Sequence, residues 1–359
     1  MPLYRPLTRP LVSRLTRSLL GSLAAILAAP YPDAVAVDFR DGSMVIKDTA
    51  TPANNFSGPW ASKISLTRAT AAYYLDDSNV WQTAASGVLR TTPQKGALIE
   101  QQSTNLLLNS LIDGTNLSTQ SVAVSAQPYT LSFYGTGTVT LSGAFVGSLV
   151  GSGAFPTRSR LTFTPSAGTL TLTVTGTVQY AQLEPITTAT SFIPTAGTSV
   201  TRNADQLSVL STSSFNRSTT VGTLYASGIT GFVDTTNFGY FSTLGDGTSA
   251  NRFYIRRNAS PGAATAAVVI ASVADGAPAT ATLSDNTDFK YAAAFAVNDM
   301  AAVLNGGSPT TDATLTTPIT ANRLEFGVGV GGSHINSYLK QVLYVPQRLS
   351  NAAMQALTT

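Results

Sequence analysis

The chain has 359 residues, enough for two or three domains with cores of their own. Charged residues make up only 11% and apolar residues 43%, a balance that excludes the disordered class and implies a folded chain with a polar, largely uncharged surface. The chain has no cysteine, which rules out disulfides, zinc fingers, iron–sulfur clusters and thiol catalysis.

The net charge is +3, yet the first 30 residues alone carry Arg5, Arg9, Arg14 and Arg17 and no acid. The basic character therefore belongs to one arm, and no nucleic-acid-binding face is expected. In this arm RPLT and RPLV (5–8 and 9–12) repeat a unit that favours extended or polyproline geometry. A short helix from about residue 13 to 28 can follow, and it includes Leu19 and Leu20. The apolar run Leu19 to Ala29 is too short to span a bilayer as a helix. Arginines followed by an apolar stretch and small residues also describe a signal segment. The long first region, interrupted by Pro2, Pro6 and Pro10, favours a docking arm over residues 1–34.

Residues 35–116 read as a β-rich connector. VAVDF (35–39) and MVIKD (44–48) are short strands around the turn Arg40-Asp41-Gly42-Ser43. Asp77-Ser78-Asn79 is a turn between the strands Tyr73–Leu75 and Val80–Thr83. Residues 117–203 alternate apolar and small polar residues, as in TLTLTVTGTVQYAQL, with Thr and Val dominant and Gly and Pro at short intervals. This is the pattern of a β-sandwich. Residues 204–359 carry a further series of strands with turns at Gly245-Asp246-Gly247, Asn305-Gly306-Gly307 and Gly331-Gly332-Ser333, as in a jelly roll. Ser350 can cap a final helix from Asn351 to Leu357. The fold class is all-β: a β-sandwich followed by a jelly roll, behind an extended or short-helical docking arm.

Catalytic signals are sparse. The one histidine, His334, sits in a glycine-rich turn, and no G-x-S-x-G elbow occurs. The three glutamates, Glu100, Glu184 and Glu325, fall in three separate segments, where glycoside hydrolysis needs two carboxylates together. An aspartate pair within Ser284–Asp288 would lie in a turn. Gly327, Gly329 and Gly332 match G-x-G-x-x-G, but strands flank them and no helix follows. No enzyme, metal site or cofactor is expected. Calcium held by loop acids such as Asp234, Asp246 and Asp275 is the one open case. Tyr240, Tyr254 and Arg256 are the glycan-binding candidates, since exposed aromatics stack on sugars and Arg donates to them. Tyr254 and Arg256 share a strand face. Trp60 and Trp81 read as packing residues.

The phrase SLTRATAAYYLDDSNVWQTAASGVLR, followed by ALIEQQSTNLLLNS (Ser65 to Ser110), resembles a segment of tail and head fibre proteins of tailed phages and prophages. There it precedes a carbohydrate-binding-like sandwich. TTPQKG (91–96) is a shorter loop than that family implies. Residues 178–205 resemble the closing strand and exit linker of the same sandwiches. Residues 204–359 resemble the concanavalin-A-like lectin/glucanase group, including laminin-G-like domains, whose hydrolytic members carry an E-x-D-x-E cluster absent here.

The resemblance implies a virion structural protein on the extracellular particle surface, a fibre, spike or decoration. It would dock on capsid, portal or tail proteins, bind host-surface polysaccharide and associate as a homotrimer. A secreted bacterial lectin or adhesin is the alternative, and a polysaccharide depolymerase a third.

Overall fold

The computed structural model describes residue 28, residues 30–315 and residues 319–359. The arm residues Arg5, Arg9, Arg14, Arg17, Leu19 and Leu20 lie outside the described residues. Its regular secondary structure is almost entirely strand, and every pairing among the described residues is antiparallel.

Two sheets face each other as a jelly roll. One has ten strands, with Ser337–Val345 near its middle, flanked by Gly222–Ile229 on one side and Ala34–Asp38 on the other. Beyond Ala34–Asp38 come Ser43–Lys47 and Phe56–Pro59. Beyond Gly222–Ile229 come Asp288–Ala296, Asp299–Leu304 and Thr310–Asp312. The opposing seven-stranded sheet is centred on Gly239–Gly245, Arg252–Arg257 and Ala263–Ile270, with Arg323–Phe326 beside them. Inward residues alternate along each strand, as the pleat requires. Phe241 stacks on Phe289 at 4.3 Å between centroids, and Phe253 meets Phe295 at 4.8 Å. Burying each such ring contributes on the order of 2–3 kcal/mol.

The ten-stranded sheet is covered on its other face as well. Ala292, Ala294 and Ala301 are small enough to let the helix Asn351–Thr358 seat Met354 against them. Ser350 caps that helix by accepting from the Ala353 amide at 3.1 Å, as its sequence position implied.

A second sandwich packs a four-stranded sheet (Gln120–Val124, Gly168–Thr175, Thr138–Gly143, Gly147–Val150) on a three-stranded one (Gly153–Phe163, Tyr129–Gly135, Gln179–Glu184). Leu131, Phe133, Leu141 and Leu172 fill its core. The intervening Thr residues of TLTLTVT point outward, as their alternation requires.

The domain layout differs from the expected one in a specific way. Residues 35–116 do not form a connector of their own. Ala34–Asp38 pairs directly with Ser337–Val345, and Gly96–Ile99 pairs with Ser337–Leu339, so strands from residues 34–59 and 90–99 complete the sheet begun by residues 204–359. The sandwich is an insertion into the jelly roll. Its entry and exit, Ser103–Asn105 and Val200–Arg202, pair with each other as a two-stranded neck. Gly96 allows the close approach at one of these seams. Its φ is +80°, and a Cβ there would lie 2.3 Å from the Leu339 carbonyl oxygen.

Candidate functional site

The neck is tied down by a buried charge cluster. Arg68 and Arg90 both reach Asp205. Arg68 does so at 2.7 Å to Oδ1, and Arg90 contacts Oδ2. Arg90 also donates to Glu100 at 2.7 Å, and Arg202 lies 3.5 Å from the same oxygen. All five side chains are at most 4% exposed. Arg68 further caps the carbonyls of Ala85 and Val88, and Ser191 donates to Glu100 from both its amide and its hydroxyl. Burial alone would raise the Glu100 carboxyl, but Arg202, Arg90 and the Ser191 donors outweigh it and hold the group down to about 2. The charged letters of SLTRAT, GVLR, ALIE and TRNAD thus meet at one point.

Asn105, in the neck, is fully buried. It donates to the Ala181 and Ile193 carbonyls and accepts from the Leu107 and Leu183 amides. Arg160 of the inserted sandwich reaches Asp285 at 2.7 Å, and Arg257 of the jelly roll holds the same carboxylate at 2.9 Å. Asp288 pairs with Lys340. The aspartates of the 284–288 turn are therefore ion-paired.

Against this junction stands a hairpin, Ala72–Leu75 with Trp81–Ala84, turning at the residues the sequence marked. Its Trp81 enters a ring cluster on the inserted sandwich, 5.3 Å from Tyr180, 5.4 Å from Phe192 and 6.0 Å from Tyr134. Between the hairpin, the inserted sandwich and the rim of the jelly roll lies a cleft of about 450 Å³, within the size range of small-ligand sites. Tyr74, Trp81, Tyr134, Phe232 and Tyr338 supply its aromatic wall. Asn79, Asn286 and Asn336 supply neutral amides, and Lys95, Glu100 and Arg158 supply charges.

Lys95 donates to the carbonyls of Leu75 and Asp76, and burial lowers its pKa against the pull of Asp77 and Asp76. Arg158 donates to the Thr190 carbonyl and to the Ser132 hydroxyl. Trp81 Nε1 and Arg158 Nε are buried without a hydrogen-bond partner in the protein. Sequence reasoning assigned Trp81 to packing. It does pack, and its second role in a cleft wall could not be read from a local pattern.

The candidates Tyr240, Tyr254 and Arg256 are brought together, but not as an open platform. The two tyrosines lie on the outward face of the seven-stranded sheet, 5.2 Å apart, and only 3% and 5% exposed. Arg256 lies over Phe238 at 3.7 Å and over Tyr254 at 4.7 Å, and donates to the Tyr240 hydroxyl at 2.9 Å. Arg252 covers the same two rings. The arginines occupy the ring faces that a sugar would need. On the same face Glu325 stands opposite Thr243, and burial raises its carboxyl against the pull of Arg323 and Arg252.

His334 is buried. One ring nitrogen lies 3.0 Å from the Asp205 carbonyl and the other faces the Gly332 carbonyl, so the ring links its own turn to the chain at Asp205. Gly329 lies in the small hairpin Val328–Gly329 with Ser333–His334, a strand running into a turn. Asp234 accepts from Thr187, Thr236 and Asn237, and Asp246 accepts from Thr248 and Asn251. Among the described residues, no three His, Cys, Asp or Glu side chains are grouped so as to hold a metal ion. No helix among them is long and apolar enough to cross a membrane.

No family model matches the sequence, and no curated protein matches it significantly. Similarity to solved structures is loose. The CBM40 module of Ruminococcus gnavus IT-sialidase bound to α2,3-sialyllactose aligns at 14% identity over 39% of this chain and 83% of its own, with a TM-score of 0.33. Mouse laminin α1 domains LG4-5 align at 9% identity over 70% and 90%, with a TM-score of 0.27. An arabinofuranosidase complexed with arabinofuranosyl-α-1,2-xylobiose aligns at 13% identity over 90% and 61%, with a TM-score of 0.32. At these scores none of them bears on ligand or activity.

Proposed function

We propose that the chain is a glycan-binding attachment protein of a tailed-phage-like particle. In this reading it grips host-surface polysaccharide in the cleft beside Trp81 and docks through residues 1–34 onto a capsid, portal or tail protein. The observation that carries the binding part is the cleft itself. Buried and half-buried rings lie beside neutral amides and hydroxyls, in a space sized for one or a few sugar units, at a junction tied together by the buried charge cluster. The particle part, with the homotrimer and the virion surface as its setting, is supported by the resemblance of Ser65–Ser110 to phage fibre segments.

Binding without turnover fits the acids available. Glu100 is saturated by arginines and Ser191, which denies it the role of proton donor. Glu184 accepts from the Thr190 amide and hydroxyl and from Gln182 inside the sandwich.

The test is isothermal titration of the full chain against polysaccharide purified from candidate host surfaces, alongside Trp81→Ala and Tyr338→Ala. Saturable binding that both substitutions abolish, without release of reducing sugar, supports the reading. Binding indifferent to both removes the cleft from it. Immunogold labelling of purified particles tests the particle part, and unlabelled particles would refute it.

A further inference from the structure

We infer that the cleft takes an acidic saccharide, one whose sugar carries a carboxylate. The inference rests on the glycan reading and concerns the charge that the ligand must bring.

Three charged side chains line the cleft: Lys95, Arg158 and Glu100. The one acid among them is already neutralised. Its oxygens are taken by Arg90, Ser191 and, at 3.5 Å, Arg202. Behind it the buried cluster sets three arginines (68, 90 and 202) against two carboxylates, Glu100 and Asp205; with Glu184, which acts on both Arg202 and Arg158, the buried groups are four arginines against three carboxylates, an excess of one positive charge that includes Arg158. Low local dielectric lets that charge be felt across the cleft wall.

The hydrogen bonds of the two cations go to carbonyls and a hydroxyl rather than to a carboxylate. Arg158 stands 3.9 Å from Glu184, beyond hydrogen-bond distance, and its side chain is 10% exposed with Nε unpartnered. Burial also raises the Glu184 carboxyl toward its neutral form, against the pull of Arg158 and Thr190. Lys95 uses two donors on the Leu75 and Asp76 carbonyls, which leaves one N–H of its ammonium for a ligand. Asp76 and Asp77 lie near Lys95. Their carboxylates already accept from Ser78, Val80 and Gln82, and from Thr92 and Gln94, and water screens them. A carboxylated sugar would stack on the rings and accept from Lys95. A neutral sugar would leave the excess positive charge of the cleft unanswered.

The experiment uses the full chain on an array of uronic- and sialic-acid-bearing oligosaccharides, each printed beside its carboxyl-reduced, neutral counterpart. Trp81→Ala, Lys95→Gln and Lys95→Arg are run in parallel. The expected result is Trp81-dependent binding to acidic features that weakens about tenfold or more on carboxyl reduction, a typical worth for one charge-assisted contact. Lys95→Gln should weaken acidic binding comparably and flatten its salt dependence, whereas Lys95→Arg should keep both, which separates loss of charge from loss of fold. If reduced and acidic forms bind alike and Lys95→Gln changes nothing, the acidic-saccharide inference is overturned and the glycan reading stands. If no feature shows Trp81-dependent binding, both fall.

Discussion

Replacing Glu100 with glutamine keeps the shape of the side chain and removes its charge, so it isolates what the buried cluster contributes to the junction. The carboxyl is held at about 2, against an ordinary 4.5. At about 1.4 kcal/mol for each tenfold change in proton affinity, its ionised form is favoured in the folded state by about 3 kcal/mol. The same range is expected when one member of a buried ion pair is removed, because Arg202 and part of Arg90 are left uncompensated.

The sign of the pH dependence follows from the lowered value. The stabilisation is fully present above about 4.5 and is lost as pH falls through about 2. Wild type should therefore exceed Glu100→Gln by about 3 kcal/mol at pH 7, and the gap should close progressively below pH 4.5. Glu184, raised by burial, changes in the opposite sense but does so in both proteins. Urea titrations followed by tryptophan fluorescence in a Trp60→Phe background would report from Trp81, at the junction itself. A difference below about 1 kcal/mol at pH 7, or one that does not narrow on acidification, would refute this account of the cluster.

Two further outcomes are expected. Asn105→Ala removes two donated and two accepted hydrogen bonds at a fully buried site and should destabilise the chain by at least about 3 kcal/mol in the same titration. A loss under 1 kcal/mol would mean that the neck tolerates unpaired carbonyls. Arg256→Ala should leave glycan affinity unchanged while lowering stability by about 1–2 kcal/mol through its lost ring and hydroxyl contacts. A tenfold loss of affinity would instead place the binding surface on the outward face of the seven-stranded sheet.

Local rules were legible in the sequence wherever one stretch of chain decides the outcome. The alternation in TLTLTVT set a half-buried strand, Asp77-Ser78-Asn79 set a hairpin turn, and Ser350 set a helix cap, because pleat, turn and cap geometry depend on neighbours a few residues away. The all-β class and the presence of a β-sandwich within residues 117–203 followed from the same periodicity. What pairs with what did not, because a hydrophobic strand such as Ala34–Asp38 carries no mark saying that its partner is Ser337–Val345, three hundred residues away. That pairing, and with it the nesting of one sandwich inside the other, rests on long-range burial. Long-range burial also gathered Arg68, Arg90, Glu100, Arg202 and Asp205 into one cluster, turned Tyr240 and Tyr254 under arginines, and made Trp81 part of a cleft wall. Composition and spacing determined the strands of this protein, and only the tertiary fold decided which polar and aromatic residues meet. The free energy of a buried charge or ring depends on partners that sequence distance does not reveal.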